Sequence, residues 1–385
     1  MALTPATQTS PYPDPVRLYM AIELSASKWG LALSAGGQRI REKSIRGGDC
    51  TQLLEEIAAA KKRFGLAQDA KVISCYEAGR DGFWVDRLLG QLGIENVVVD
   101  AASMKVDRRA RRAKTDRIDA RRLLADLIRH HRGEKDVWKV ARVPSAEQED
   151  KRRLHRNLER LKKEKTQHRS RIFSLLATQG VRPGNLKIFL AALDAAKIWD
   201  GKPLPPALKA EIERERDRLR LVEEQIRAIT KEQREQLKQA SSPELAMVNV
   251  LTKLRGIGVD SAWILVMEFF AWREFKNRGE VGGAAGLVGT PYDSGSSERE
   301  QGISKAGNPL VRTRMVELAW LWIRFQPQSE LSQWFLGRFA GGGSRLRRVG
   351  IVAVARKLLI DLWHLVEHGA VPRGAVIDLT ESCPG

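Results

Sequence analysis

The chain has 385 residues, and its 66 Lys and Arg against 47 Asp and Glu leave a net charge of +19. That length holds two or three domains with real cores, and so large a positive balance points to a polyanionic partner, nucleic acid above all. Three scattered cysteines, Cys50, Cys75 and Cys383, give neither a disulfide framework nor a zinc pattern, and no apolar run reaches the ~20 residues of a membrane span.

Residues 1–16, rich in Pro, Thr and Ser without a basic-then-apolar signal, read as a disordered tail. Arg17 to Leu24 has the character of a buried strand, Trp29 to Ser34 of a second, and Gln38 to Ile45 of a third beyond a Gly36-Gly37 turn. Thr51 to Phe64 has helical period, Lys71 to Tyr76 is a fourth strand, Gly82 to Leu92 a helix, and Asn96 to Asp100 a fifth strand. A three-strand meander followed by alternating helix and strand is the element order of the ribonuclease-H-like (RuvC-like) fold, expected here over residues 17–134. Glu23 interrupts the first strand, where a buried charge is expensive, and Glu77 ends the fourth. Those two strands are neighbours in that fold, so the two carboxylates are expected to face each other.

Ile118, Leu123, Leu124 and Leu127 mark an amphipathic helix that Thr115 would cap. Asp116 and Asp119, three apart in its first turns, project from one face. Around them stand Arg108, Arg109, Arg111, Arg112, Lys114, Arg117, Arg121 and Arg122. Two acids in a field of cations suit a divalent metal beside a phosphate backbone; a solvated helix with surface ion pairs is the alternative. Glu23 and Glu77 beneath the same helix make four acids and favour the metal.

Residues 135–241 read as an antiparallel helical coiled-coil arm. Ser145 caps a helix running to about Gln179, with Leu154, Leu158, Leu161, Ile172 and Leu176 in its stripe among Lys151, Arg152, Arg153, Arg156 and further cations. A Gly180 to Gly184 turn and a short helix lead to a second long helix, Pro205 to Ala240. The arm dimerises, straddles nucleic acid, or is a plain spacer.

Ser242-Pro243 opens a mainly helical domain spanning 242–385. Leu251 to Gly258 has the form of a helix-hairpin-helix turn, with Gly256 and Gly258 placed to let backbone N–H groups approach a phosphate; a plain helix corner fits as well. Phe269, Phe270 and Trp272 read as core. Ser294, in a Gly-flanked polar stretch ahead of Lys305, Asn308 and Arg312, is placed as a phosphate-attacking serine would be, or lies in an ordinary polar loop. Gly341 to Gly343 with Arg345, Arg347 and Arg348 reads as a flexible basic turn before a last helix, Gly350 to His368, and the pair His364 and His368 as helix surface.

Tyr76-Glu77-Ala78-Gly79, the run Lys114 to Ala120, Leu254 to Gly258, and Ser294-Gly295 followed by Gly302 to Asn308 form an ordered set. In that set the sequence resembles the DEDD-type insertion-sequence transposases related to the Piv DNA invertase, which are bridge-RNA-guided recombinases. The resemblance covers nearly the whole chain. It implies a RuvC-like domain, a coiled-coil arm and a C-terminal transposase domain. It also implies a metal site of Glu23, Glu77, Asp116 and Asp119 for Mg²⁺ (Mn²⁺ possible), and a serine nucleophile at Ser294, with Ser296, Ser297 and Ser304 as rivals. The family's first acid is Asp, and Glu23 departs from it by one methylene.

The expected function is DNA strand exchange through a phosphoserine link, with a guide RNA, and element and target DNA as partners. A homo-oligomer, dimer or tetramer, would complete composite sites, in the bacterial cytoplasm at the nucleoid and away from membranes. The alternatives are a metal-dependent junction-resolving nuclease and a non-catalytic nucleic-acid-binding relative.

Overall fold

The computed structural model describes residues 16–79, 82–100, 103–104, 116–134, 137–239, 242–294 and 297–378, with backbone alone at 116–118, 291–294 and 297–301. The chain divides into two compact units, 1–144 and 145–385.

In the first unit, strands β1 (Leu18–Leu24), β2 (Lys28–Ser34), β3 (Arg41–Arg46), β4 (Val72–Glu77) and β5 (Glu95–Val99) form one sheet in the order β3-β2-β1-β4-β5. The first three pair antiparallel, whereas β1 with β4 and β4 with β5 are parallel. Helices α1 (Cys50–Arg63) and α2 (Trp84–Gln91) supply the crossovers. β1 is central, and its sequence shows why: both of its faces are apolar. Leu18, Met20 and Ile22 pack with Leu53 and Ile57 of α1 and with Val85 and Leu89 of α2. Ala21 turns to the other face, where small residues let helix α3 (Asp116–His131) lie close through Ala120, Leu123, Leu124 and Leu127. Residues 137–143, grouped with the arm on sequence, close this unit instead. Trp138 enters the α3 cluster, and the Ala141 N–H donates to the Val98 carbonyl at 2.7 Å.

The second unit begins with α4 (Ala146–Lys151) and α5 (Arg153–Ala177), where the sequence predicts one helix. Ser145 and Gln148 form a capping box on α4, as that reading expects. The break falls at Arg152, whose guanidinium is buried 5.0 Å above the Trp272 ring. α5 leads through α6 (Leu186–Ala191) to α7 (Pro206–Gln239). The end of α5 packs on the start of α7 through Ile172, Leu176, Ile212 and Leu219, and its start on the middle of α7 through Leu158, Leu161, Val222 and Ile229. The two arm helices therefore run antiparallel.

The arm returns to a helical body of α8 (Pro243–Thr252), α9 (Val259–Leu265), α10 (Arg278–Ala284), α11 (Pro309–Phe325), α12 (Glu330–Phe339) and α13 (Ser344–His368). A hairpin of β6 (Gly289–Ser294) and β7 (Ser297–Ile303) is inserted between α10 and α11. One large cluster, with Trp263, Phe269 and Trp322 fully enclosed, forms its core; Phe270 and Trp272 are buried as expected. The chain turns at Gly341 to Gly343 as expected, but Arg345, Arg347 and Arg348 lie in the first turns of α13, which starts at Ser344. Among the described residues no helix is long and apolar enough to cross a membrane.

Candidate active site

In the first unit Ile22 of β1 pairs in register with Tyr76 of β4, so Glu23 and Glu77 are the next residues along two adjacent parallel strands. By strand alternation both share the face of Ala21 and Cys75, which is the α3 face. The direction of α3 follows from its contacts: its last residue, His131, hydrogen-bonds Tyr19 at 3.0 Å, while the Leu123 carbonyl lies 3.7 Å from the Cys75 sulfur. Its first turns therefore lie toward the strand ends that carry Glu23 and Glu77. Asp119 lies one helical turn before Leu123, on the side of that contact toward these strand ends.

Burial differs from expectation. Glu23 is half-buried rather than enclosed, Asp119 is half-buried, and Glu77 is exposed. Gly30 is the register partner of Glu23, and a Cβ there would lie 3.5 Å from the Glu23 Cβ, an ordinary van der Waals contact. A cleft of about 440 Å³ adjoins it, lined by Lys28, Gly30, Ser44 and Ala120 among others. Asp116 starts α3, but its side chain, like that of Arg117, lies outside the described residues, as do Thr115, Arg108, Arg109, Arg111, Arg112 and Lys114 entirely. Among the described residues no three His, Cys, Asp or Glu side chains gather closely enough to hold a metal ion. Arg121 pairs with Glu42 of β3.

In the second unit Ser294 is the last residue of β6 rather than part of an open loop, and it pairs with Ser297 across the hairpin. The base of that hairpin is held tightly. The Ser304 N–H donates to the Val288 carbonyl at 2.8 Å, and the Asn308 N–H to the Ala284 carbonyl at 3.1 Å. Gly286 and Gly307 make this crossing possible, since a Cβ on either would sit 1.9 Å and 2.1 Å from the Ala306 and Ala284 carbonyl oxygens respectively. Lys305 is exposed and adopts a left-handed φ of 55°. Arg312 donates to the Lys305 carbonyl at 3.0 Å, and Asn308 caps α11 by accepting from the Leu310 and Val311 N–H groups.

Beneath this loop lies a group that the sequence reading missed. Glu268 sits in a π-helical turn, Val266–Phe270, that continues α9, and it is 1% exposed. It accepts from the Arg156 Nε and Nη2 at 2.5 and 2.9 Å, lies 2.8 Å from the His155 Nε2, and accepts from the Asn308 Nδ2 at 3.1 Å. Burial pushes its pKa up, but the hydrogen bonds from His155 and Arg156 outweigh that and hold it at about 2. A single acid inside the apolar run Ala262 to Phe270 was the available signal.

Several residues expected to meet nucleic acid also make contacts within the fold. Arg152 is buried against Trp272, the Arg156 fork is engaged by Glu268, and Asn308 and Arg312 hold the loop together. Arg153 is exposed, with only a surface pair to Asp150. Gly256 has a φ of 94° and packs on Phe325, where a Cβ would approach the Phe325 Cβ to 3.2 Å; Gly258 is the N-cap of α9.

The comparisons with known proteins bear on this second unit most directly. The family described as Transposase IS116/IS110/IS902 matches residues 248–332, the stretch that holds Glu268, the hairpin and α11. A putative transposase, y4rJ, of Sinorhizobium fredii is 40% identical over 376 residues, 94% of each chain. The chain belongs to the IS116/IS110/IS902 transposase family. More distant members align in part. The transposase for insertion sequence element IS1328 of Yersinia enterocolitica is 26% identical over 221 residues, 57% of this chain and 63% of its own. A probable family 20 transposase of Pseudomonas aeruginosa is 26% identical over 234 residues, 59% of this chain and 66% of its own. In this IS110-family chain the region of the family match is built around a hairpin clamped at its base.

Proposed function

We propose that this IS110-family protein cuts and rejoins DNA strands through a phosphoserine link, using an RNase-H-like acidic site in its first unit and Ser294 in its second. The observation that carries the reading is the placement of Glu23 and Glu77 at adjacent parallel strand ends, with the first turns of α3 on the same face. The strand order β3-β2-β1-β4-β5 is the one an RNase-H-like fold has, and it supports that assignment.

Carboxylate oxygens are hard donors, so the set Glu23, Glu77, Asp116 and Asp119 suits Mg²⁺ or Mn²⁺ in ligand chemistry, and Glu23 and Glu77 stand at the ends of adjacent strands. When bound, the ion would supply charge stabilisation at the scissile phosphate. The chain's own residues do the rest. The Ser294 Oγ attacks phosphorus and loses its proton, the bond to the leaving nucleoside oxygen breaks, and that oxygen takes up a proton. The new phosphoserine diester conserves the energy needed for rejoining. The clamped base of the hairpin restricts where Ser294 can be carried, which lowers the entropy cost of attack.

RNA guidance is part of the same proposal and rests on charge. A balance of +19 exceeds what one duplex at one site needs, and a structured RNA would be held mostly through phosphates and 2′-hydroxyls. Target choice would then lie in base pairing. The deciding experiment is denaturing electrophoresis of the protein with labelled element-end DNA, Mg²⁺ and flanking RNA. A covalent protein–DNA species supports the proposal. Cleavage without it supports a junction-resolving nuclease, and no cleavage at all leaves a binding protein.

A further inference from the structure

We propose that the tip of the arm is a separate contact for single-stranded nucleic acid, in which Trp199 stacks on an unpaired base while Arg182, Lys187 and Lys197 hold the flanking phosphates. The proposal rests on the nucleic-acid reading above and adds a site which that reading does not use.

Trp199 is 78% exposed, more than any other large hydrophobic side chain among the described residues. Its backbone is firmly held. The Trp199 N–H donates to the Gln179 carbonyl at 3.2 Å, and the turn that carries it is closed by Ile198 N–H to Lys202 O at 2.8 Å and Gly201 N–H to Ile198 O at 2.9 Å. Gly180, with a φ of 71°, lies directly against it, and a Cβ there would come within 3.0 Å of the Trp199 Cβ. Under the turn, Ala196 and Ile198 pack on the tip core of Leu186, Leu193 and Leu204. A clamped backbone thus holds a large indole out in water. Binding to such a group costs little ordering entropy, and aromatic area of this kind is usually covered in function.

Charge decides what covers it. Residues 178–209 hold five Lys or Arg and two Asp. Lys209 pairs with Asp194 at 2.5 Å and Lys202 with Asp200 at 2.9 Å. Arg182, Lys187 and Lys197 are exposed, and none has an ion-pair partner among the described residues. The unbalanced charge favours a polyanion. An aromatic ring among free cations is how single strands are bound without sequence preference, because every unpaired base offers a face for stacking. A duplex offers no such base along its length.

The test uses the full chain with fluorescein-labelled oligo-dT and a duplex of equal length, read by anisotropy across a salt series. Trp199→Ala should weaken single-strand binding about tenfold while leaving duplex binding within about twofold. Trp199→Phe, which keeps a ring, should recover most of the loss. Replacing Arg182, Lys187 and Lys197 together by Ala should lower the single-strand salt slope by about 2. A strand carrying 5-iodouracil should cross-link to the peptide that contains Trp199. Undiminished single-strand affinity in Trp199→Ala, with no cross-link to that peptide, overturns the site but leaves the strand-exchange reading standing. If Trp199→Ala instead breaks up an oligomer in sedimentation and leaves oligonucleotide binding intact, the surface belongs to a second copy of the chain and the proposal fails. A wild-type chain that binds no nucleic acid takes both readings down.

Discussion

The Asn308 side chain donates to Glu268 at 3.1 Å while its own carboxamide oxygen caps α11. Glu268 in turn holds Arg156 and His155 at the start of α5. One buried carboxylate therefore ties the arm, the π-helical turn and the loop below the Ser294 hairpin together. Glu268→Gln keeps the shape but removes the charge that Arg156 needs. Losing one member of a buried pair costs roughly 3 kcal/mol or more, so the unfolding midpoint should fall by about 10 °C. Strand cleavage should fall further than in Val354→Ala, a core variant in α13 used as a stability-matched control. Equal cleavage in the two variants would reduce Glu268 to a packing role.

Acid should act through the same group and through its counterpart in the arm. Burial pushes the Glu215 pKa up, but hydrogen bonds from His168, Arg171 and Arg218 outweigh it and hold it at about 2, as for Glu268. Both are depressed from 4.5, so each contributes its full stability above about that pH and loses it as pH falls toward 2. Thermal melts across that window should show a steep loss in wild type. The slope should be shallower in Glu215→Gln and Glu268→Gln.

Asp119→Asn should abolish DNA cleavage in Mg²⁺ with circular dichroism and nucleic-acid binding nearly unchanged, because one hard ligand is lost while the side chain keeps its shape. Near wild-type cleavage would remove the acidic site from the mechanism. Glu23→Asp is the companion measurement. Higher activity would mean that the longer side chain is merely tolerated, and lower activity that the site is shaped for Glu.

Ser294→Ala should eliminate both the covalent protein–DNA species and recombination, whereas Ser296→Ala, Ser297→Ala and Ser304→Ala should retain some of each. An adduct that survives Ser294→Ala moves the attack to another residue. Tyr292, two positions back on the same strand, is the first to examine.

The protein should purify from its host with a discrete RNA encoded beside its own gene, found by sequencing the RNA retained at high salt. Charge reversal at Arg153 is the informative variant, since Arg152 and Arg156 are committed to the fold. A smear of unrelated transcripts, with recombination insensitive to ribonuclease, would leave only nonspecific charge.

The five strands, α1, and the stripe of α3 were legible because each follows from local periodicity and from apolar character on one or both faces. The same holds for the Ser145 N-cap and the apolar stripes of the two arm helices, whose signals are local in the chain. The net charge and the placement of Glu23 and Glu77 on neighbouring strands were likewise plain from composition and strand order.

Tertiary structure alone decided which cations are available. Arg152, Arg153 and Arg156 look alike in sequence, yet one stacks on Trp272, one faces water and one neutralises Glu268. The partners of Arg152 and Arg156 lie more than a hundred residues away, and only packing brings a buried carboxylate and a guanidinium together. The break in the first arm helix at Arg152 and the hairpin position of Ser294 were hidden for the same reason. A lone acid in an apolar run gives no sign of which distant cations will make its burial tolerable.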